Sequence, residues 1–133
     1  MKRIFISGNR DIALLFLRLG AGLLMFFING LPKISDFEKR FHSFADPFGF
    51  GMELTFIFAV LSEGLCTLLV AVGLYTRIAV VPIMITMATA AFVIHADDPW
   101  GRKELPILFL FVFSTLLISG PGKYSLDNKL FGK

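Results

Sequence analysis

Four stretches of the chain are apolar over a length that a bilayer would require, at residues 12–31, 54–75, 78–94 and 105–119. A crossing helix needs roughly 20 mostly apolar residues, with about 17–25 as the usual range. The first stretch holds Arg18 and Asn29 as its strongly polar members, the second holds Glu63 as its only charge, and the other two are uncharged. The fourth is short unless its flanks join it. Water-soluble helices of this length show a polar face at the helical period, and these do not. The pattern predicts an all-α membrane protein, a four-transmembrane-helix bundle forming a single domain over residues 1–133.

The connections differ in kind. Gly73-Leu74-Tyr75-Thr76-Arg77 reads as a tight turn, which makes the second and third helices antiparallel neighbours. Between Pro32 and Met52, Phe37, Phe41, Phe44 and Phe48 recur at helical spacing while Lys39, Arg40 and Ser43 fall on other faces. That spacing predicts a short interfacial helix between helices 1 and 2, ended by Asp46-Pro47. The alternative is a loop whose Phe residues fill the mouth of the bundle. His95 to Lys103 is a polar loop with Trp100 placed as an interface anchor, and the tail after Gly120 has no periodicity.

Composition narrows the class. Only 17% of residues are charged and the excess is +3, with no Lys/Arg block, which excludes a nucleic-acid-binding chain. The lone cysteine, Cys66, excludes an intramolecular disulfide, a CxxC pair and a cysteine-based zinc site. His95-x-Asp97-Asp98 lacks a second ligand cluster, so no metal is assigned. The first span lacks a small-residue cleavage site and carries Arg18, so it reads as a retained helix rather than a signal peptide. An even number of spans places both termini on one side. That side holds Lys2, Arg3, Arg10, Arg77, Lys123, Lys129 and Lys133, against Lys33, Lys39, Arg40, Arg102 and Lys103 on the other. The bias favours N-in and C-in.

Charges at bilayer depth are the informative ones, because inserting one costs at least about 2.5–3.5 kcal/mol. Arg18, Gly22, Met25, Asn29 and Lys33 share a narrow arc of the first helix. Such a stripe faces protein rather than lipid. Glu63 sits near the middle of the second span with Cys66, Thr67 and Val70 on its side, and Arg18 is its most obvious countercharge. Lys33, His95 and Glu104 should lie near one outer level. The functional reading is an outward-opening polar pocket built from Arg18, Asn29, Lys33, Glu63, His95 and Glu104, able to exchange protons with a quinol or a transported ion. The structural alternative is an Arg18–Glu63 ion pair that fixes helix register, with the outer residues simply wet.

Leu17-Arg18-Leu19-Gly20 followed by Asn29-Gly30-Leu31-Pro32-Lys33 resembles the first-helix signature of the DoxX family. So does Gly73-Leu74-Tyr75-Thr76-Arg77 after a helix bearing Glu63. The close is the most specific part, where Glu104 opens the last helix and Gly120-Pro121-Gly122-Lys123-Tyr124-Ser125-Leu126-Asp127 follows it. The family's first helix often has His where this chain has Asn29. The resemblance implies a small four-helix integral protein of the bacterial cytoplasmic (inner) membrane. It also implies a redox neighbourhood, since the family takes its name from a subunit associated with thiosulfate:quinone oxidoreductase.

No phosphate loop, catalytic triad, nucleotide fingerprint, haem-ligand His pair or flavin motif is present in the sequence, so catalysis by the chain alone is not expected. The leading expectation is an accessory or scaffold subunit of a quinone-linked membrane redox system, with no intrinsic cofactor and a pocket for quinone or lipid between its helices. A second class is a small-solute or proton transporter or channel, which would entail a homo-oligomer because four helices seldom enclose a pathway alone. A third is a ligand-free membrane assembly factor.

Overall fold

A computed structural model describes residues 9–41 and 46–132, and the described residues are helical with no strand. Helix α1 spans Arg10–Ser35, α2 is Phe37–Phe41, α3 is Met52–Val72 and α4 is Thr76–Ile94. Helix α5 runs Trp100–Ser119 and α6 is Leu126–Phe131. By length and composition α1, α3 and α4 can each cross a membrane. The flank does join the fourth apolar stretch, giving a 20-residue α5 whose first turns carry Arg102, Lys103 and Glu104.

The helices begin and end where local chemistry dictates. Asn9 caps α1, its side chain accepting from the Ile12 amide at 3.1 Å. Helix α3 ends at Gly73, whose φ of +77° suits a residue without Cβ. There the Leu74 amide donates to Leu69 O at 2.9 Å and the Gly73 amide to Val70 O at 3.1 Å, the paired bonds of a Schellman cap. In the tail, where no periodicity was expected, α6 forms because Ser125 accepts from the Asn128 amide at 3.2 Å. Six residues are too few for a period to register.

Of the segment expected as an interfacial helix, the stretch Phe37–Phe41 is helical. Phe37 and Phe41 stack at 5.1 Å on α2, and the Phe37 ring lies 5.3 Å from that of Phe56 on α3. Phe44 lies outside the described residues, and Phe48 stands exposed in a turn rather than on a continuing helix. Asp46 fastens that turn by accepting from the amides of Phe50 and Gly51 and from Thr55 Oγ1.

Helix α1 packs on α3, α3 on α4, and α4 on α5, while α5 returns to α1. The core holds Met25, Val70, Ala79, Val80, Ile83, Met87, Phe109, Phe113 and Leu116. Large apolar side chains cover the outside as well: Phe16 is 74% exposed, Ile78 72%, Phe111 69% and Ile118 81%. Arg18, Ser62, Glu63, Thr67 and Thr76 are meanwhile buried. Apolar outside with polar groups inside is the distribution that lipid, not water, favours.

Helices α1 and α3 approach closely. A Cβ on Gly22 would stand 2.8 Å from Thr67 O, and one on Gly30 would collide with the Glu63 carbonyl. Both helices widen into a π turn where they face each other, at Phe26–Gly30 in α1 and Leu61–Cys66 in α3. The first wide turn precedes Pro32, whose missing N–H would break an α-helical ladder anyway.

Candidate functional site

The six residues singled out in the sequence do not converge. The structure sorts them into a clasp at one end of the bundle, a Lys33–Glu63 pair between α1 and α3, and two separate positions around the α4–α5 loop.

Arg18 belongs to the clasp. It is fully buried, and its Nη1 donates to Ala71 O at 3.1 Å and to Val70 O at 3.4 Å. These are carbonyls of the last turn of α3, where Val70 O also accepts from the Gly73 amide of the cap and Arg18 adds a side-chain donor to both. A cation there also complements the negative end of the helix dipole. Arg18 Nη2 donates to Tyr124 O in the tail. The same tail returns to the α3–α4 turn: Asp127 accepts from the Tyr75 amide at 2.6 Å and the Thr76 amide at 2.9 Å. Those bonds cap the start of α4 and hold Tyr75 at φ +49°, an unusual conformation for a side chain with Cβ. The Asp127 amide donates to Gly73 O at 2.8 Å, and Lys123 N donates to Asp11 Oδ1 at 2.9 Å. Arg77 repeats the device at the end of α5, donating to Ile118 O at 3.4 Å.

Glu63 pairs with Lys33 rather than with Arg18. The pair sits where the π turns of α1 and α3 face each other, with side chains only 13% and 7% exposed for Lys33 and Glu63. Lys33 Nζ also donates to Asn29 O at 3.4 Å, so Asn29 contributes its backbone and not its amide to the group. Thr67 Oγ1 lies 2.7 Å from Glu63 O and 2.8 Å from Gly64 O, donating to carbonyls that the wide turn displaces from the regular ladder. One turn away, Ser62 Oγ and Thr86 Oγ1 lie 2.7 Å apart and join α3 to α4. A lysine ammonium, a buried carboxylate and the hydroxyls of Ser62, Thr67 and Thr86 thus place polar groups on α1, α3 and α4 within otherwise apolar helices.

His95 and Glu104 stand apart. His95 Nδ1 meets Asp98 Oδ2 at 2.6 Å in the α4–α5 loop. That hydrogen bond, opposed by desolvation and aided by the charge of Arg102, holds the Asp98 carboxyl below the usual range. Glu104 is exposed on α5. Among the described residues no group of three His, Cys, Asp or Glu side chains is placed to hold a metal.

Sequence reasoning missed Asp127 and Tyr124 as partners of the Arg18 region, and Ser62 and Thr86 as a cross-helix pair. A usable signal existed for the first, because Ser125 as a helix N-cap followed by acidic Asp127 in the first turn is a helix-start pattern. None existed for the second, since hydroxyls inside an apolar span carry no mark of which neighbour they meet.

A profile of the DoxX family matches residues 13–96, a segment that contains Arg18, Lys33 and Glu63. The chain belongs to the DoxX family. This DoxX protein is 33% identical to the inner membrane protein YphA of Escherichia coli, across 92% of this chain and 94% of that one. It is 38% identical to an uncharacterised membrane protein of Mycobacterium tuberculosis over 51% of this chain and 50% of the other. A Haemophilus influenzae protein is 30% identical over 93% of this chain and 95% of its own length. No solved structure matches it significantly.

Proposed function

We propose that this DoxX protein is a four-crossing scaffold of the bacterial inner membrane, an accessory subunit of a quinone-linked redox system whose functional centre is the Lys33–Glu63 pair. The observation that carries the reading is that pair: two opposite charges held almost out of solvent where two wide helix turns meet. Burying such groups is costly, and in membrane helices they commonly mark a ligand or proton site. A quinone carbonyl accepting from Lys33, or a quinol hydroxyl donating to Glu63, would use the groups already present. The redox context rests on the family, and the inner-membrane location on the name of the Escherichia coli relative.

Helix α5 supplies the fourth crossing in this reading, since its 20 residues pack along α4. Arg10, Arg77, Lys123 and Lys129 then lie with the clasp on the cytoplasmic side, giving N-in and C-in. The short α2, with its Phe residues, lies at the outer interface.

Purification from native membranes in mild detergent tests the proposal. Wild-type protein should carry extractable quinone and bring down an oxidoreductase subunit, whereas a folded Lys33→Met/Glu63→Leu variant should lose the quinone. Quinone-free wild type with no such companion would overturn it. The buried carboxylate also favours a second reading, proton conduction by an oligomer. Proton flux in liposomes that is identical for wild type and Glu63→Gln would remove that reading.

A further inference from the structure

We propose that the outer end of α5 binds an amine-bearing phospholipid, with the lipid ammonium on Glu104 and an acyl chain along Leu108 and Phe111. This rests on α5 being a membrane crossing and is independent of whether the Lys33–Glu63 pair serves a quinone. Trp100, Gly101, Glu104, Ile107, Leu108 and Phe111 line one open groove of about 490 Å³ on a single face of α5. The spacing of these positions places all six on one side of the helix. Trp100 is 70% exposed, Leu108 56% and Phe111 69%, so the groove faces the surroundings of the bundle and not its core.

The chemistry of the lining selects the occupant. Glu104 is exposed and has no hydrogen-bond or ion-pair partner among the described residues. It is the one acidic side chain in an otherwise apolar groove, about 6 Å along the axis from Trp100 at 1.5 Å per residue. The indole is itself fixed, because Lys103 Nζ lies 4.7 Å over its ring and donates to Ala96 O at 2.8 Å. An indole at this level marks the membrane interface, the depth at which phospholipid headgroups sit. A primary ammonium complements the carboxylate in charge and brings three hydrogen-bond donors. The chains below it find Leu108 and Phe111. A choline headgroup has the charge without the donors, and phosphatidylglycerol has hydroxyl donors without the cation.

Trp100 is the only tryptophan of the chain, so the groove contains its own reporter. The full chain would be reconstituted in phosphatidylglycerol vesicles containing a small fraction of brominated phosphatidylethanolamine, phosphatidylcholine or phosphatidylglycerol, and quenching of Trp100 compared. The ethanolamine lipid should quench with about fivefold higher apparent affinity than the other two, within what a partly solvated ion pair supports. Glu104→Gln should abolish that preference. Gly101→Leu should weaken it too by filling the groove, since a Cβ at Gly101 meets nothing within 4 Å and the helix tolerates it. Equal quenching by all three lipids in wild type, or a preference that survives Glu104→Gln, would overturn the proposal. Quenching by none of them would instead remove α5 from the bilayer, and the lipid site with it.

Discussion

A pair of double-mutant cycles separates the two ways in which Glu63 could be neutralised. Lys33 and Glu63 are in direct contact and nearly out of solvent. At about 4 Å and an effective dielectric near 20, unit charges attract by about 4 kcal/mol. Arg18 lies 15 residues from Lys33 on the same helix, about 22 Å at 1.5 Å per residue. Over that distance the same dielectric leaves about 0.8 kcal/mol. Lys33→Met and Glu63→Leu, made singly, should each destabilise by about 3–5 kcal/mol, because each leaves a buried charge without its partner. Made together, they should recover most of that loss. Arg18→Met should also destabilise, through the Ala71 and Tyr124 carbonyls that lose its donors, but additively with Glu63→Leu to within about 0.5 kcal/mol. Reversible unfolding in mixed micelles, followed by far-UV circular dichroism, reads all of these. A coupling below about 0.5 kcal/mol for Lys33 with Glu63, or above about 1.5 kcal/mol for Arg18 with Glu63, would refute the assignment of partners.

The clasp and the α4–α5 loop give further expectations. Gly73→Ala should destabilise by more than the roughly 1 kcal/mol typical of a left-handed position, because its Cβ would also lie 2.5 Å from Arg18 Nη1 and from Ser125 Cβ; thermal unfolding in detergent measures it. Asp127→Ala removes both acceptors at the start of α4 and should cost about 0.5–2 kcal/mol as a lost cap, with hydrogen exchange rising first at the amides of Tyr75 and Thr76. The Asp98 carboxyl is held below its ordinary value, so its contribution to the α4–α5 loop is present above the unfolded carboxylate range and is lost as pH falls through the depressed folded value. Trp100 emission should therefore show a transition below about pH 4, and Asp98→Asn should remove that acid transition.

How much of this was legible in the chain divides along physical lines. The apolar spans announced themselves because lipid imposes one requirement on a whole stretch of residues. The tight turn at Gly73 was equally plain, since a glycine between two apolar runs marks a place where the backbone reverses. The stripe of Arg18, Gly22, Met25, Asn29 and Lys33 on one face was readable as well, because helical spacing is local. Three of its members, Arg18, Gly22 and Met25, are buried as that stripe implied. The partner of each charge was not legible. Glu63 meets Lys33 and not Arg18 because α1 and α3 run antiparallel with Gly30 seated on the Glu63 carbonyl, and that register is set by packing across two helices. The tail motif could be recognised, yet its work of feeding Tyr124 O to Arg18 and Asp127 to α4 joins residues more than fifty positions apart.

The shortage of charge thus determined the solvent of this protein and the length of its helices, because partition between water and lipid depends on composition summed over a segment. Which few charges meet, and whether they clasp an end of the bundle or sit in its middle, was decided only by tertiary structure. An ion pair depends on a few ångströms between side chains on different helices, a distance that no periodicity along one chain encodes.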